Sequence, residues 1–187
     1  MKIETQIGGK YHSDNTLLFD LKRNLVAQGV SVRHPILDKI SKQINDTGFA
    51  FNLGADWQSF FEVETDYYNC LRASNLHIIS NDFTWMGITG YVGGNASLEF
   101  CFCAAMRRPV VFTQTPNFSS GLDIFTKTVC TKNIRFANII SSELLSSDFH
   151  SIYKDLDRSK DYDISIIEIL RVMEMVKTTL DCAQEQY

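Results

Sequence analysis

Apolar positions along the chain change their period wherever turn residues fall. Lys2–Ile7 alternates apolar and polar residues and runs into Gly8-Gly9, the pattern of a short strand. Ser13 or Asp14 can cap a helix in which Leu17, Leu18, Leu21, Leu25 and Val26 recur at helical spacing until Gly29. Val30–Val32 reads as a second strand, closed by His34-Pro35. Strand, helix and strand in such a short stretch is the βαβ unit of a parallel sheet. Residues 35–56 show no clear period, carry Gly48 and Gly54, and read as an excursion. Trp57–Ala73 is helical, with Phe60, Phe61, Val63, Tyr67, Tyr68 and Leu71 on a broad apolar face.

Leu76–Ser80 is a third strand, and the turn-rich stretch Asn81–Gly94 leads to a helix over Ser97–Met106. Pro109–Phe112 is a fourth strand with its proline at the start, where the missing N–H does least harm. Further on, Leu122–Cys130 reads as helical and Ile134–Ile140 as a fifth strand. Asp163–Cys182 is an amphipathic helix that gathers Ile166, Ile167, Leu170, Met173, Val176 and Leu180 on one face. No repeat and no low-complexity tract interrupts the chain. The expectation is one α/β domain over residues 1–187, with five parallel strands and a C-terminal helix.

Composition narrows the functional classes. The chain has 187 residues, 44% hydrophobic and 21% charged, which excludes disorder and suits one domain. A net charge of −4 weighs against a nucleic-acid polymer as partner, since phosphate tracking needs a basic stripe. Small phosphorylated ligands stay open, because backbone N–H groups can hold them. The longest apolar run, Leu98–Met106, is far short of the roughly 20 residues of a membrane span. Met1–Gln6 lacks the apolar core of a signal peptide, so no membrane partner and a cytoplasmic location are expected. Five cysteines without a CxxC pair, and four histidines away from ligand spacing, give no metal site and no cofactor.

In open parallel sheets, ligands sit at the carboxyl ends of the strands where strand order reverses. That brings Gly8–His12 and Asn81–Glu99 to one crevice, with Gly8, Gly9, Gly93 and Gly94 allowing close backbone approach. Neither segment is a P-loop or a G-x-G-x-x-G fingerprint. Glu99 falls in the first turn of the helix expected from Ser97, where the helix dipole favours an ionised carboxylate by about 0.3–1 kcal/mol. Such a group suits a nucleophile or the stabiliser of an oxocarbenium-like centre.

The run Gly90-Tyr91-Val92-Gly93-Gly94-Asn95-Ala96-Ser97-Leu98-Glu99-Phe100-Cys101-Phe102-Cys103-Ala104, followed by Arg107-Arg108-Pro109-Val110-Val111, resembles the nucleoside 2-deoxyribosyltransferase-like family. The start of the chain is similar too, with Gly8-Gly9 closing the first strand and Tyr11 shortly after. The resemblance covers roughly residues 1–113. It implies a flavodoxin-like sheet with helices on both faces, and cleavage of an N-glycosidic bond in a small-molecule nucleoside or nucleotide. Glu99 matches the family's nucleophile, which attacks the anomeric carbon before a second base or water takes up the sugar. Gly9 and Tyr11 match the turn that contacts ligand. Members are commonly homo-oligomers, and the apolar face of Asp163–Cys182 offers either an interface or a face for the chain's own sheet.

The chain departs from the family pattern in two places. Cys101 and Cys103 stand where Gly and Ala are usual, and the Asp before the glycine turn is missing. Asp82 and Asp56 are the remaining candidates for a general acid, although Asp56 also suits a helix cap and Asp82 a turn. Phe83, Trp85, Tyr91 and Tyr11 would line the mouth as stacking surfaces for a base, with Asn95 on the glycine turn. Lys10 is the better phosphate partner, because Arg107 and Arg108 lie at the far end of the helix. Two other readings stand beside this one: NAD cleavage of the TIR type, and a nucleotide-derivative binding module without catalysis.

Overall fold

The computed structural model describes residues 3–9, 16–33, 57–156 and 161–184. The excursion at 35–56, with Asp56, lies outside these residues, as do Lys10 and Tyr11 and the side chains of Phe60, Phe61 and Val63. Strand β1 (Glu4–Gly9) leads to helix α1 (Thr16–Ala27) and strand β2 (Ser31–Arg33). Helix α2 (Trp57–Ala73), strand β3 (Leu76–Ser80), the short strand β4 (Tyr91–Val92) and helix α3 (Gly94–Ala105) come after it. Strand β5 (Val110–Phe112), the short strand β6 (Asn117–Phe118) and helix α4 (Ile124–Asn133) come next. Strand β7 (Asn138–Ile139), helix α5 (Ser142–Asp155) and helix α6 (Ile166–Gln184) complete the order.

Five strands form one parallel sheet in the order β2-β1-β3-β5-β7. This is the flavodoxin-like arrangement, in which strand order reverses between β1 and β3. Register there pairs Gln6 with His77, Gly8 with Ile79 and Gly9 with Ser80. Paired residues of parallel strands point to the same side, so Gln6, Gly8 and His77 share one face of the sheet.

Alternation along the strands builds two cores. Ile3 just before β1, Ile7 of β1, Leu76 and Ile78 of β3, and Val111 of β5 pack with Leu18, Leu21 and Leu25 of α1 and Leu145, Phe149 and Tyr153 of α5. Ile79, Val110 and Phe112 face the other way, toward Tyr67, Tyr68 and Leu71 of α2 and the buried side of α3. Phe100 of α3 meets Phe112 edge-to-face at 5.2 Å, a geometry that adds about 0.5–1.5 kcal/mol to its burial. Cys101 and Cys103 are buried on this side, Cys101 with its Sγ 3.7 Å from that of Cys130 on α4. The small side chains thus let α3 lie close to both the sheet and α4.

Three expectations change. The fifth strand reaches only Asn138–Ile139, because Ile134–Phe136 winds into a 3-10 turn that packs Phe136 on Tyr162 at 6.0 Å between ring centres. Helix α5 was not expected, although Leu145, Phe149 and Tyr153 lie at helical spacing; Ser146-Ser147 and a non-helical Asp148 break its periodic signal. On α6 the buried residues are Val172 and Val176, while Ile166, Ile167, Leu170 and Met173 are exposed. The helix docks on α2 and α3 through the Val172–Val176 side, so the apolar face read from the sequence is split. No helix among the described residues is long and apolar enough to cross a membrane.

Candidate functional site

Glu99 does not lie in the first turn of its helix. Helix α3 starts three residues earlier than the sequence suggests, with Gly93 as an extended N-cap, and its first turn holds no acid. The glycines permit this early start, and the Ser97 hydroxyl folds back onto the Gly93 carbonyl at 2.8 Å. Glu99 therefore sits one turn deeper, 7% exposed, facing the sheet rather than the open end of the helix. The helix dipole falls off within the first turn, so neighbouring side chains, and not the helix end, must form the surroundings of the carboxyl group.

Two neighbours do so. The Tyr67 hydroxyl, reaching over from α2, donates to Oε2 of Glu99 at 2.8 Å. Nε2 of His77, on β3, lies 3.1 Å from the same oxygen. Nδ1 of His77 lies 3.1 Å from the main-chain carbonyl of Gln6. Both Tyr67 and His77 are buried, His77 completely. Three elements thus converge on one carboxylate oxygen, while Oε1 accepts no hydrogen bond among the described residues.

Gly8 makes the convergence possible. A Cβ at this position would overlap Oε2 of Glu99 and would stand 2.7 Å from the Tyr67 hydroxyl and 2.9 Å from Cε1 of His77. The missing side chain is filled by the cluster itself, so Gly8 admits Glu99 to the sheet. Gly9 has a different constraint: its φ is +146° and a Cβ would lie 2.5 Å from the Ser80 carbonyl. Beside this cluster Gln6 is fully buried, and neither its amide nitrogen nor its amide oxygen has a hydrogen-bond partner among the described residues. A buried polar group left unpaired costs about 1–3 kcal/mol, which makes this amide a ready partner for a polar group entering beside His77.

Asp82 lies elsewhere. One of its oxygens accepts from the Ser80 hydroxyl at 3.2 Å and the other from the hydroxyl of Ser142, at the start of α5. These contacts draw it toward the α1–α5 side of the sheet, and no described contact joins it to Glu99. Its neighbour Asn81 is buried and acts as a hub. The Asn81 side chain donates to the carbonyls of Gly90 and Gln114 at 3.1 and 3.0 Å and accepts from the Gln114 N–H at 3.0 Å. Those bonds hold the 81–90 loop against the end of β5.

Two of the aromatic residues expected at the mouth, Phe83 and Trp85, lie on that loop. The Phe83 and Trp85 rings are half-buried, with centres 6.2 Å apart and planes at 39°. Trp85 and Ile88 close a tight turn by reciprocal main-chain bonds of 3.1 and 2.8 Å. Its central residues, Met86 and Gly87, both have positive φ, as the twist of a two-residue hairpin turn requires. Tyr91 on β4 lays its ring over Gly93, with Cε1 3.3 Å from where a Cβ would be. Gly94 and Asn95 are exposed on the first turn of α3, so the glycine turn borders this aromatic group. Arg107 and Arg108 bind Asp161 and the Arg72 carbonyl at the opposite end of α3.

The structure thus brings Glu99 together with Gly8 and adds two residues that the sequence did not suggest, Tyr67 and His77. Tyr67 reads as one more residue of an apolar helix face. His77 carried a usable signal, because an inward-facing histidine within Leu76-His77-Ile78-Ile79 must find hydrogen-bond partners on burial. Comparison with protein families, with curated proteins and with solved structures finds no match in any of the three.

Proposed function

We propose that the protein cleaves the N-glycosidic bond of a nucleoside or nucleotide, with Glu99 as nucleophile, acting as a (deoxy)ribosyltransferase or as an N-hydrolase. The observation that carries this reading is a carboxylate clamped through one oxygen, Oε2, by Tyr67 and His77, beside the point where strand order reverses. Hydrogen bonds to a single oxygen fix the orientation of the group and leave Oε1 as the oxygen able to attack a carbon. The resemblance of Gly90–Ala104 to the deoxyribosyltransferase-like segment puts Glu99 at the nucleophile position. In the reaction the anomeric carbon meets Oε1 as the base departs, and the sugar ring carries oxocarbenium-like charge. Phe83, Trp85 and Tyr91 offer half-buried ring faces on which a purine or pyrimidine stacks.

One observation favours a second reading. Glu99 is almost wholly buried, and a closed carboxylate suits a nucleotide-derivative binding module as well as an enzyme. A chromatographic screen separates the two. Free base is measured after incubation with nucleosides, deoxynucleosides, their monophosphates and NAD, with and without an acceptor base, for wild type and Glu99→Gln. Release that falls by several orders of magnitude in the variant supports the enzyme, and dependence on acceptor marks a transferase. Binding without release from any substrate favours the binding module. Full activity in Glu99→Gln would falsify the nucleophile assignment.

A further inference from the structure

Oε2 of Glu99 and Nε2 of His77 are 3.1 Å apart, and a contact this short between two hydrogen-bonding atoms needs a proton between them. The other ring nitrogen, Nδ1, faces the Gln6 carbonyl at 3.1 Å. A carbonyl oxygen only accepts, so Nδ1 carries a hydrogen and donates it. If the ring were neutral, Nε2 would then be a bare lone pair aimed at the carboxyl group. The proton in the 3.1 Å contact would have to belong to Glu99, placing a carboxylic O–H at Oε2. That oxygen also receives the hydrogen of the Tyr67 hydroxyl at 2.8 Å. The hydroxyl oxygen of a carboxylic acid is a poor acceptor, whereas a carboxylate oxygen readily takes two hydrogens.

From this arrangement we infer that His77 is a positioning residue: an imidazolium that donates from both ring nitrogens and holds Glu99 as a carboxylate through Oε2. The pair is fully buried on the histidine side, so the ion pair is shielded from solvent and each charge depends on the other. Other titratable groups lie around the pair. Among the described residues they include Tyr67 from α2, Cys103 one turn beyond Glu99 on α3 with Arg108 acting on it and, along the same sheet face, Glu4 with its partner Arg33, which also meets Cys70 of α2. Burial and the Glu99 charge both keep the Cys103 thiol protonated, with its pKa well above the ordinary value. Cys103 therefore adds no second negative charge beside Glu99. Loss of the shared proton would leave a lone pair facing a carboxylate, and the two side chains would part.

The consequence for catalysis rests on the glycosidic reading above. His77 would set the attacking oxygen as Oε1 and would keep Glu99 in its nucleophilic charge state. The proton itself stays in the pair throughout, so the departing base takes its proton from elsewhere.

The test is proton-coupled nitrogen NMR of the ring nitrogens in protein labelled with 15N-histidine, recorded across pH. The signal of His77 is assigned by its absence in His77→Asn or, should that variant not fold, by its change in Glu99→Gln. In wild type both ring nitrogens of His77 are expected to carry protons protected from solvent exchange, and a rise in pH that breaks the pair removes one of the two and leaves the neutral ring. In Glu99→Gln the amide can donate to a bare Nε2, so the ring is expected to revert to the neutral form protonated only at Nδ1. A wild-type ring protonated at one nitrogen only, throughout the pH range in which the protein is folded, overturns the proposal. Base release is measured on the same samples. An imidazolium signal without any base release keeps the ion pair and rejects the glycosidic reading. Where release occurs, His77→Asn is expected to lower kcat at least tenfold with little change in KM and to shift the alkaline limb of the pH profile. An unchanged profile in a folded His77→Asn protein rejects the positioning role.

Discussion

Gly8 and Glu99 occupy complementary space: the carboxylate oxygen of one fills the position where the other would carry a side chain. Because Oε2 is also held by Tyr67 and His77, it has no free direction in which to retreat. The glycine in β1 is thus a packing requirement of a residue 91 positions later in the sequence, and neither can be understood alone.

Gly8→Ala is accordingly expected to destabilise the fold by about 1–3 kcal/mol, the usual range for overpacking a filled core. The urea midpoint of unfolding measures it. If the penalty comes from Glu99, Gly8→Ala costs clearly less in a Glu99→Ala background, where the overlapping oxygen is gone. A double-mutant cycle reads that difference as a coupling energy between neighbours. Equal costs in both backgrounds would mean that Gly8 is required for some other reason.

The start of α6 carries a reciprocal cap that responds to pH. The Ser165 N–H donates to Glu168 at 2.8 Å, and the Glu168 N–H donates to the Ser165 hydroxyl at 3.2 Å, the arrangement of a capping box. The Ser165 N–H, acting against partial burial and helped by the Ser165 hydroxyl and Lys132, holds the Glu168 carboxyl below the ordinary carboxylate range. A depressed folded-state value means that the stabilisation is present above the unfolded value, about 4.3, and is lost as pH falls through the folded one. Wild type is therefore expected to exceed Glu168→Gln in stability at neutral pH, with the gap closing below about pH 4. Ser165→Ala removes the hydroxyl half of the box and should cost about 0.5–2 kcal/mol at neutral pH. A gap between wild type and Glu168→Gln that stays constant on acidification would show that charge is not what the cap uses.

The parallel sheet was legible because each β-strand before residue 113 ends in a turn signal and each intervening helix has its own apolar period. Leu76–Ser80 appears in the structure with the expected limits, as does Trp57–Ala73. The candidate site was less legible, for a physical reason. Glu99 could be singled out from a local segment, but its partners come from α2 and β3, 32 and 22 residues away. Tyr67 follows a helical period that explains it as core, and His77 sits in a strand pattern that hides its polarity. The start of α3 was misplaced because Gly94 and Asn95 look like turn residues, although a helix accepts them in its first turn. On α6, periodicity identified the helix but not its buried side, since apolar residues occur on both sides and only the packing partners choose between them.

Asp82 separates a chemical role from an architectural one. One of its oxygens accepts from Ser80 at the end of β3 and the other from Ser142 on α5, so both act as acceptors. The second bond spans 60 residues and fastens the start of α5 to the end of β3. Its expected role is therefore a tether. Asp82→Ala and Ser142→Ala should each lower stability by about 1 kcal/mol, the ordinary net value of such a bond. Combined in one protein they should cost hardly more than Asp82→Ala alone, because both remove the same contact. Urea denaturation of the two single variants and the double variant decides this. Should base release be found, Asp82→Asn is expected to retain most of it, since its amide can still be held by the two serines. A general acid at this position would instead lose activity in Asp82→Asn while Ser142→Ala stayed near wild type.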